Sequence, residues 1–187
     1  TLDSSPYKLN TKAMLTYPFQ FPKIKGILEE RINRFVVRVN LNGKIVEAYL
    51  ANPGRLWELF LPGTELLLTP AQAERKIPYT VIACQKDNYY ILLHTHLTNK
   101  VIRHLIDEKK LPAFDDYRVI KEEPAVGRHR FDLLLEHTVS GEEYYLEIKS
   151  CTLFSDKIAM FPDAVTKRGA THLLKLKELA ASGVMAG

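Results

Sequence analysis

Between Ile24 and His96 the apolar residues come in short runs with partial alternation, which is typical of β-strands. Turn signals separate these runs at Asn42-Gly43, Pro62-Gly63 and Asp87-Asn88. Five runs are rich in β-branched and aromatic residues: ILEERINRFVVRVNL, KIVEAYLANPGRL, TELLLTPA, YTVIACQK and YYILLHTH. Short strands joined by tight turns predict a small closed barrel of the OB type.

After Thr98 the apolar spacing changes to that of a helix. In NKVIRHLIDEKKL, Val101 and Leu105 fall on one helical face, Asn99 is the expected N-cap and Pro112 closes the segment. The runs RFDLLLEH and YYLEIKSCTLF flank the turn TVSGEE and predict a second hairpin.

The last pattern, PDAVTKRGATHLLKLKELAASG, predicts a helix with Asp163 as N-cap and Gly183 as its C′ stop. Strand runs followed by mixed strand and helix patterns indicate an all-β domain before an α/β domain. We therefore expect an arm over residues 1–15, an OB-like barrel over 16–85 and an α/β domain over 86–187, with the boundary near 85–98.

Composition agrees with two small globular domains. The 187 residues are 46% hydrophobic, and the net charge of +4 fits a polyanionic partner without requiring one. The two cysteines form no CxxC pair, which speaks against a zinc ribbon or a redox motif. The sequence shows no secretory signal and no apolar run of about 20 residues, so we expect a cytoplasmic protein with no membrane partner. The missing initiator Met suggests that residues before Thr1 are absent.

Two acids and a lysine stand out in the second hairpin. Glu147 and Lys149 are two residues apart, so on a strand they share a face. If the turn is centred between Ser140 and Gly141, Asp132 lies opposite Lys149 and points to that same face. The three side chains then converge on one patch, whereas a one-residue change of register would move Asp132 to the other face.

The chemistry of this patch suits a divalent metal. Two close carboxylates repel one another, and a cation with oxygen ligands, such as Mg²⁺ or Mn²⁺, removes that cost. A metal there activates water at a phosphodiester, and a lysine stabilises the developing charge. An acid-x-lysine pair is also common as an ordinary ion pair on exposed strands. The apolar neighbours of Glu147 and of Asp132 favour the functional interpretation.

Asp132, Glu147-Ile148-Lys149 and the helix that follows resemble the PD-(D/E)XK nuclease superfamily. Across nearly the whole chain, six blocks resemble the sugar fermentation stimulation protein family of bacteria and archaea: NPGRL (52–56), LPG (61–63), RKIPY (75–79), RFDLLL (130–135), EIKSCTL (147–153) and FPDAVTKRGATHL (161–173). The family pattern continues beyond the last helix into another apolar strand. This sequence ends at GVMAG, so we expect that strand to be truncated or lost.

The resemblance implies an OB-like barrel fused to a PD-(D/E)XK restriction-endonuclease-like α/β domain. It implies that Asp132 and Glu147 bind the metal, with the Ile148 carbonyl and waters completing the shell, and that Lys149 is the catalytic lysine. Glu123 matches the outer acid of the superfamily, as a catalytic or metal-binding residue. The implied partner is DNA, with single-stranded nucleic acid as a further candidate.

Several basic residues are candidates for nucleic-acid binding: Arg55, Arg128, Arg130, Lys167, Arg168 and His172. Arg168 and His172 are four apart, so they share a helical face and either bind phosphate, assist proton transfer or form a surface pair. Gly169 between them costs ~1 kcal/mol relative to Ala in a helix, which favours a close approach of another group. Arg55 either meets a phosphate or is solvated, and Trp57 beside it is expected to be a packing anchor.

Two functions fit these observations. The first is a metal-dependent nuclease, which the presence of all four expected site residues favours. The second is a non-catalytic DNA-binding regulator of sugar utilisation genes of the maltose type, which is the role described for the family. Fold alone does not decide between them.

Overall fold

The computed structural model describes residues 17–71, 75–154, 158–160 and 167–187. These residues form two compact units. The barrel unit contains Gln20–Asn99 and the described part of Ile148–Leu174, and the second unit contains residues 17–19, Lys100–Glu147 and Lys175–Gly187.

The first five strands of the barrel unit close into an OB-like barrel, as the sequence predicted. The sheet order is β3-β2-β1-β4-β5-β6, and a parallel pairing of β3 with β5 closes the barrel. The other neighbouring strands are antiparallel. The strands are β1 (Ile24–Arg31), β2 (Val36–Leu41), β3 (Lys44–Leu50), β4 (Glu65–Pro70), β5 (Tyr79–Lys86) and β6 (Tyr89–Leu92).

The first apolar run was expected to be one strand and instead forms two. Ile32 and Asn33 both donate their backbone N–H groups to the Val36 carbonyl, and the Asn33 side chain accepts the N–H of Phe35. This turn separates β1 from β2, because a local side-chain bond competes with continued strand pairing. The run YYILLHTH therefore supplies a sixth strand, and the sheet continues to Leu92.

The predicted turns are present. Asn42 and Gly43 have φ values of 53° and 91°, the type I′ geometry that matches the twist of a two-residue hairpin. Asp87 has a φ of 51° between β5 and β6, and Gly63 has a φ of 92° before β4.

Alternate strand positions fill the barrel interior. Twelve buried side chains form its core, each at most 5% exposed: Leu28, Val37, Val39, Ala48, Leu50, Leu56, Leu59, Leu66, Leu68, Val81, Cys84 and Leu93. Strand residues of this kind bury one face because successive side chains point to opposite sides.

Helix α1 spans Thr95–Asp107 and begins four residues before the predicted cap Asn99. The reason is a contact that the local pattern does not encode: the backbone N–H and the hydroxyl of Thr95 both donate to the Ala51 carbonyl, at 3.3 and 2.8 Å. His96 is therefore helical, so the last apolar run, YYILLHTH, does not continue as a strand to His96. A short 3-10 helix follows at Pro112–Phe114.

The second unit contains a four-stranded sheet with the order β14-β11-β10-β7. The strands are β7 (Tyr117–Glu122), β10 (Leu133–His137), β11 (Glu143–Leu146) and β14 (Met185–Ala186). β14 runs parallel to β11, with Met185 opposite Tyr144. The alternative that the strand after the last helix is lost is wrong, because Met185–Ala186 forms a short strand there.

The remaining elements are short. A hairpin of β8 (Ala125–Val126) and β9 (His129–Arg130) lies between β7 and β10, and β12 (Leu153–Phe154) pairs with β13 (Ala159–Met160). Helix α2 spans Lys167–Ala181, and the predicted cap Asp163 lies outside the described residues. No helix in the described part of the chain is long and apolar enough to cross a membrane.

Candidate metal and nucleic-acid site

Asp132 and Glu147 stand at the same end of the β10–β11 hairpin. Leu133 pairs with Leu146, and one position further out the Asp132 N–H donates to the Leu146 carbonyl at 3.2 Å. Asp132 directly precedes this pair and Glu147 directly follows it, so the two acids lie next to the same paired strand ends. Both lie outside the regular strands, which begin at Leu133 and end at Leu146, so the convergence of their carboxylates stays a prediction.

The predicted register, which sets Asp132 opposite Lys149, is wrong, because Leu133 pairs with Leu146 and not with Ile148. The turn lies one residue earlier than expected, because the Gly141 N–H donates to the His137 carbonyl and Gly141 has a φ of 73°. Moving a hairpin turn by one residue shifts the pairing by two. A shift of two keeps the face of every residue inside the paired strands, and Asp132 lies just outside them.

Backbone bonds hold both acids from either side. The Glu147 N–H donates to the Gly187 carbonyl at 2.8 Å, and the Gly187 N–H donates to Tyr145 at 3.0 Å, so the C-terminal strand braces this position. The Asp132 carbonyl accepts the Glu123 N–H at 3.0 Å, and the Asp132 N–H donates to the Leu146 carbonyl. These bonds fix the backbone from which the two carboxylates project.

The surroundings of the two acids are apolar. Asp132 is half-buried between Phe131 and Leu133, which are 2% and 1% exposed. Glu147 is also half-buried, follows the buried Leu146, and has its Oε2 atom shielded from solvent. A carboxylate in such a setting depends on cationic or hydrogen-bonding partners.

Glu123 occupies a strained position beside Asp132. Its φ of 48° lies in the left-handed region. Its carboxylate is paired with the Arg130 guanidinium at 3.2 Å, and both side chains are 68% exposed. Among the described residues no group of three or more His, Cys, Asp or Glu side chains is placed to hold a metal. A ligand role for Glu123 stays a prediction and requires its release from Arg130.

Ile148 and Lys149 follow directly on Glu147 and are half-buried. β11 ends at Leu146, so the EIK motif follows the strand instead of lying within it. Glu147 and Lys149 therefore do not lie on a regular strand, so alternation does not show that they share a face. The role of Lys149 stays a prediction.

The candidate basic residues are distributed over several elements. Arg128 is exposed in the turn between β8 and β9, and Lys167 is exposed at the start of α2. His172 is half-buried in α2, four positions after Arg168, whose side chain lies outside the described part. Helical spacing of that pair agrees with the prediction, and their contact with phosphate remains an expectation.

Arg55 belongs to the barrel unit. Its guanidinium lies over the Trp57 indole, 4.8 Å from the ring centroid. The interpretation of Trp57 as a packing anchor is wrong, because the side chain is 71% exposed. Charged residues on both sides of it, Arg55 and Glu58, were the available signal for exposure.

An OB-like barrel and a sheet with two acids at one hairpin end define a class of proteins that join an OB domain to a restriction-endonuclease-like domain. Two family models match this arrangement: residues 30–93 match the SfsA N-terminal OB domain, and residues 96–187 match the sugar fermentation stimulation protein RE domain. The chain belongs to the sugar fermentation stimulation protein family.

Individual relatives agree. The chain is 38% identical over 165 residues to the sugar fermentation stimulation protein homolog of Clostridium botulinum strain Hall, covering 88% of this chain and 71% of the relative. It is 39% identical to the homolog of Clostridium kluyveri, covering 86% and 70%. The solved structure of Pyrococcus furiosus SfsA in complex with Ca²⁺ matches with a TM-score of 0.78 at 34% identity, over 88% of this chain and 70% of that one.

Proposed function

We propose that this chain binds nucleic acid and cleaves phosphodiester bonds with the help of a divalent cation held by Asp132 and Glu147. The observation that carries the proposal is that these two half-buried acids flank one strand pair: Asp132 directly precedes Leu133, Glu147 directly follows Leu146, and Leu133 pairs with Leu146. The Ca²⁺ in the Pyrococcus furiosus SfsA complex supports it, because Ca²⁺ is also a hard cation that takes oxygen ligands.

The donor set fits Mg²⁺ or Mn²⁺. Mg²⁺ is usually bound by one or two carboxylates, with waters and phosphate oxygens completing the shell. Asp132 and Glu147 supply the carboxylates, and the Ile148 carbonyl is available directly after Glu147. When bound at such a site, the cation supplies Lewis acidity that lowers the pKa of water and offsets phosphate charge.

The protein's own groups hold the metal-binding acids in place and orient the reacting groups. The hydrogen bonds to Leu146 and Gly187 keep Asp132 and Glu147 in place, so little reorganisation is needed during the reaction. The Lys149 ammonium stabilises charge that develops at the phosphorus or holds the attacking water. Arg128 and Lys167, both exposed, neutralise phosphates of the bound strand. A DNA partner agrees with a cytoplasmic location, which we propose for the protein.

Cleavage assays on single- and double-stranded DNA and RNA, with Mg²⁺ or Mn²⁺ against EDTA, test the proposal. Lys149→Ala should lower the cleavage rate by about 10²–10³-fold, since its charge acts mainly in the transition state, while metal affinity stays unchanged. Lys121→Ala is the matched control, because Lys121 is an exposed lysine of β7.

The alternative is a nuclease fold kept as a DNA-binding regulator of sugar utilisation genes. Lys149 would then be one phosphate contact among several, and its loss would reduce the salt dependence of binding by about one unit. Two results would reject the enzyme in favour of the regulator. The wild-type protein would cleave no nucleic acid with any of these metals, and Lys149→Ala would bind DNA more weakly.

A further inference from the structure

The loop between β3 and β4 displays an aromatic ring that the barrel core does not use. Trp57 is 71% exposed, and the Arg55 guanidinium lies 4.8 Å from its centroid. A single exposed apolar residue is ordinary on a protein surface. An exposed ring that contacts a guanidinium on a loop fixed by hydrogen bonds is less common.

Several bonds fix this loop. Arg31 donates to the Arg55 carbonyl at 2.7 Å and to the Asn52 carbonyl at 3.3 Å. The buried Asn52 accepts the Gly54 N–H at 3.0 Å through its side chain. Leu56 has a φ of 56° and is buried, so the chain accepts an unfavourable backbone conformation there. Arg55 and Trp57, which flank Leu56, are thereby presented outward in a defined arrangement.

A second arginine–aromatic pair lies on the neighbouring turn. The Arg34 guanidinium lies 5.4 Å from the Phe35 centroid, and Phe35 is 41% exposed and stacks against Tyr49 at 6.5 Å. Arg31 also donates to the Arg34 carbonyl, at 3.1 Å. One guanidinium therefore joins the turn that carries Arg34 to the loop that carries Arg55, so the backbones of the two segments are held close together.

A cavity of about 120 Å³ adjoins the Trp57 ring. Its volume is several times the roughly 30 Å³ that a water molecule occupies in the liquid, so it has room for more than an ordered water. Arg55, Glu58 and Thr152 contribute its polar lining. The Glu58 carboxylate lies 3.8 Å from the Lys86 ammonium. The ammonium reduces the repulsion between this carboxylate and an anionic ligand.

Planar rings beside guanidinium groups match the chemistry of an unpaired nucleotide. A base offers a π-face for stacking, and its phosphate offers oxygens to arginine. Base pairs in a duplex keep those faces stacked inside the helix, where a surface tryptophan does not reach them. The pattern of two aromatic rings and two arginines therefore favours a single strand over a duplex.

We propose that the arginine–aromatic face, formed by Arg34, Phe35, Arg55 and Trp57, binds single-stranded nucleic acid, with an unpaired base stacked on Trp57 and phosphates at the two arginines. The inference rests on the proposed function for the class of ligand and adds where and in which strand state that ligand binds.

The chain contains one tryptophan, so the indole fluorescence reports on Trp57 alone. In EDTA and low salt, short oligothymidylate and oligouridylate should quench it, whereas a blunt duplex and free thymidine monophosphate should quench it far less at equal nucleotide concentration. In anisotropy titrations with a labelled oligonucleotide, Trp57→Ala should weaken binding roughly 5- to 150-fold, which corresponds to stacking worth about 1–3 kcal/mol.

Two further variants separate stacking from damage to the fold. Trp57→Phe keeps an aromatic ring and should retain most of the affinity. Tyr89→Ala removes another exposed aromatic of the barrel, 57% exposed in β6, and should bind like the wild type. Arg55→Ala should lower both the affinity and the slope of its salt dependence, by about 0.7 for one phosphate contact on a single strand.

Three results would overturn the inference: an oligonucleotide that binds without changing the indole signal, an unchanged affinity in Trp57→Ala, or quenching by the duplex as strong as by the single strand. EDTA keeps this test independent of the metal site. Absent cleavage with intact quenching therefore rejects the proposed enzyme and leaves this inference standing.

Discussion

Backbone hydrogen bonds fix the chain at Asp132 and at Glu147. The Asp132 N–H is bonded to Leu146 and the Glu147 N–H to Gly187. The sequence predicted the hairpin that brings the two acids to the same strand ends. It did not predict the register, because that depends on where the turn forms, and a face shared by the two carboxylates stays a prediction.

Other residue-level contacts were outside the reach of the sequence. Glu123 reaches Arg130 because the β8–β9 hairpin folds back, with Ala125 opposite Arg130. Strands of two residues carry no periodicity from which that fold could be predicted. The exposure of Trp57 likewise follows from the loop held by Arg31, a contact between residues far apart in the chain.

Cys84 gives a prediction at this scale. Burial raises the pKa of its thiol to about 11, and the side chain is fully buried in the barrel. Because the pKa of the thiol is raised on folding, the stabilisation of the folded protein by the buried neutral thiol is complete below the unfolded pKa near 9. This stabilisation is lost as the pH rises towards 11. We expect iodoacetamide at pH 8 to leave Cys84 unmodified in the native protein and to modify it in urea.

Mass spectrometry of the labelled peptides checks this. Cys151, which is half-buried, serves as the internal comparison in the same sample. Alkylation of Cys84 under native conditions at the rate seen in urea would show that the barrel core is open.

At the scale of elements, the ends of helices divide into those that local sequence determines and those that it does not. The C-terminus of α2 was predicted from Gly183, and the structure has the expected motif: Val184 donates to Leu179 and Gly183 to Ala180. The start of α1 was predicted four residues late, because Thr95 is bonded to Ala51 in the barrel. A cap supplied by a distant segment leaves no local signature.

Gly183→Ala tests the C-terminal motif of α2. Gly183 has a φ of 85°, which costs an L-residue with a side chain about 1–2 kcal/mol. Urea unfolding followed by circular dichroism should show a loss of stability of about 1 kcal/mol. Lys177→Ala, at an exposed position of the same helix, should change stability by less than about 0.5 kcal/mol. Equal midpoints for Gly183→Ala and wild type would contradict the cap.

For the whole molecule, tight turns and short alternating runs were enough to predict the OB-like barrel. Asn42-Gly43 and Asp87-Asn88 predicted two hairpins correctly. The closure through parallel β3 and β5 joins segments about thirty residues apart, as in the pairing of Ala48 with Tyr79. No short-range pattern encodes such a pairing. It was expected only because the predicted fold class is a closed barrel. The second domain was identified by its motif and its family resemblance, since its strands are short.

The central claim is that Asp132 and Glu147 together hold a divalent cation. Calorimetric titration of the apo protein with Mn²⁺ tests it most directly, using Asp132→Asn, Glu147→Gln and, as a control from the opposite end of the same hairpin, the exposed Glu143→Gln. We predict that the wild type and Glu143→Gln bind Mn²⁺ alike, while each of the other variants loses more than about tenfold in affinity, because a direct ligand matters at least as much as the outer partners of a metal site. Unchanged Mn²⁺ affinity in both Asp132→Asn and Glu147→Gln would contradict the account.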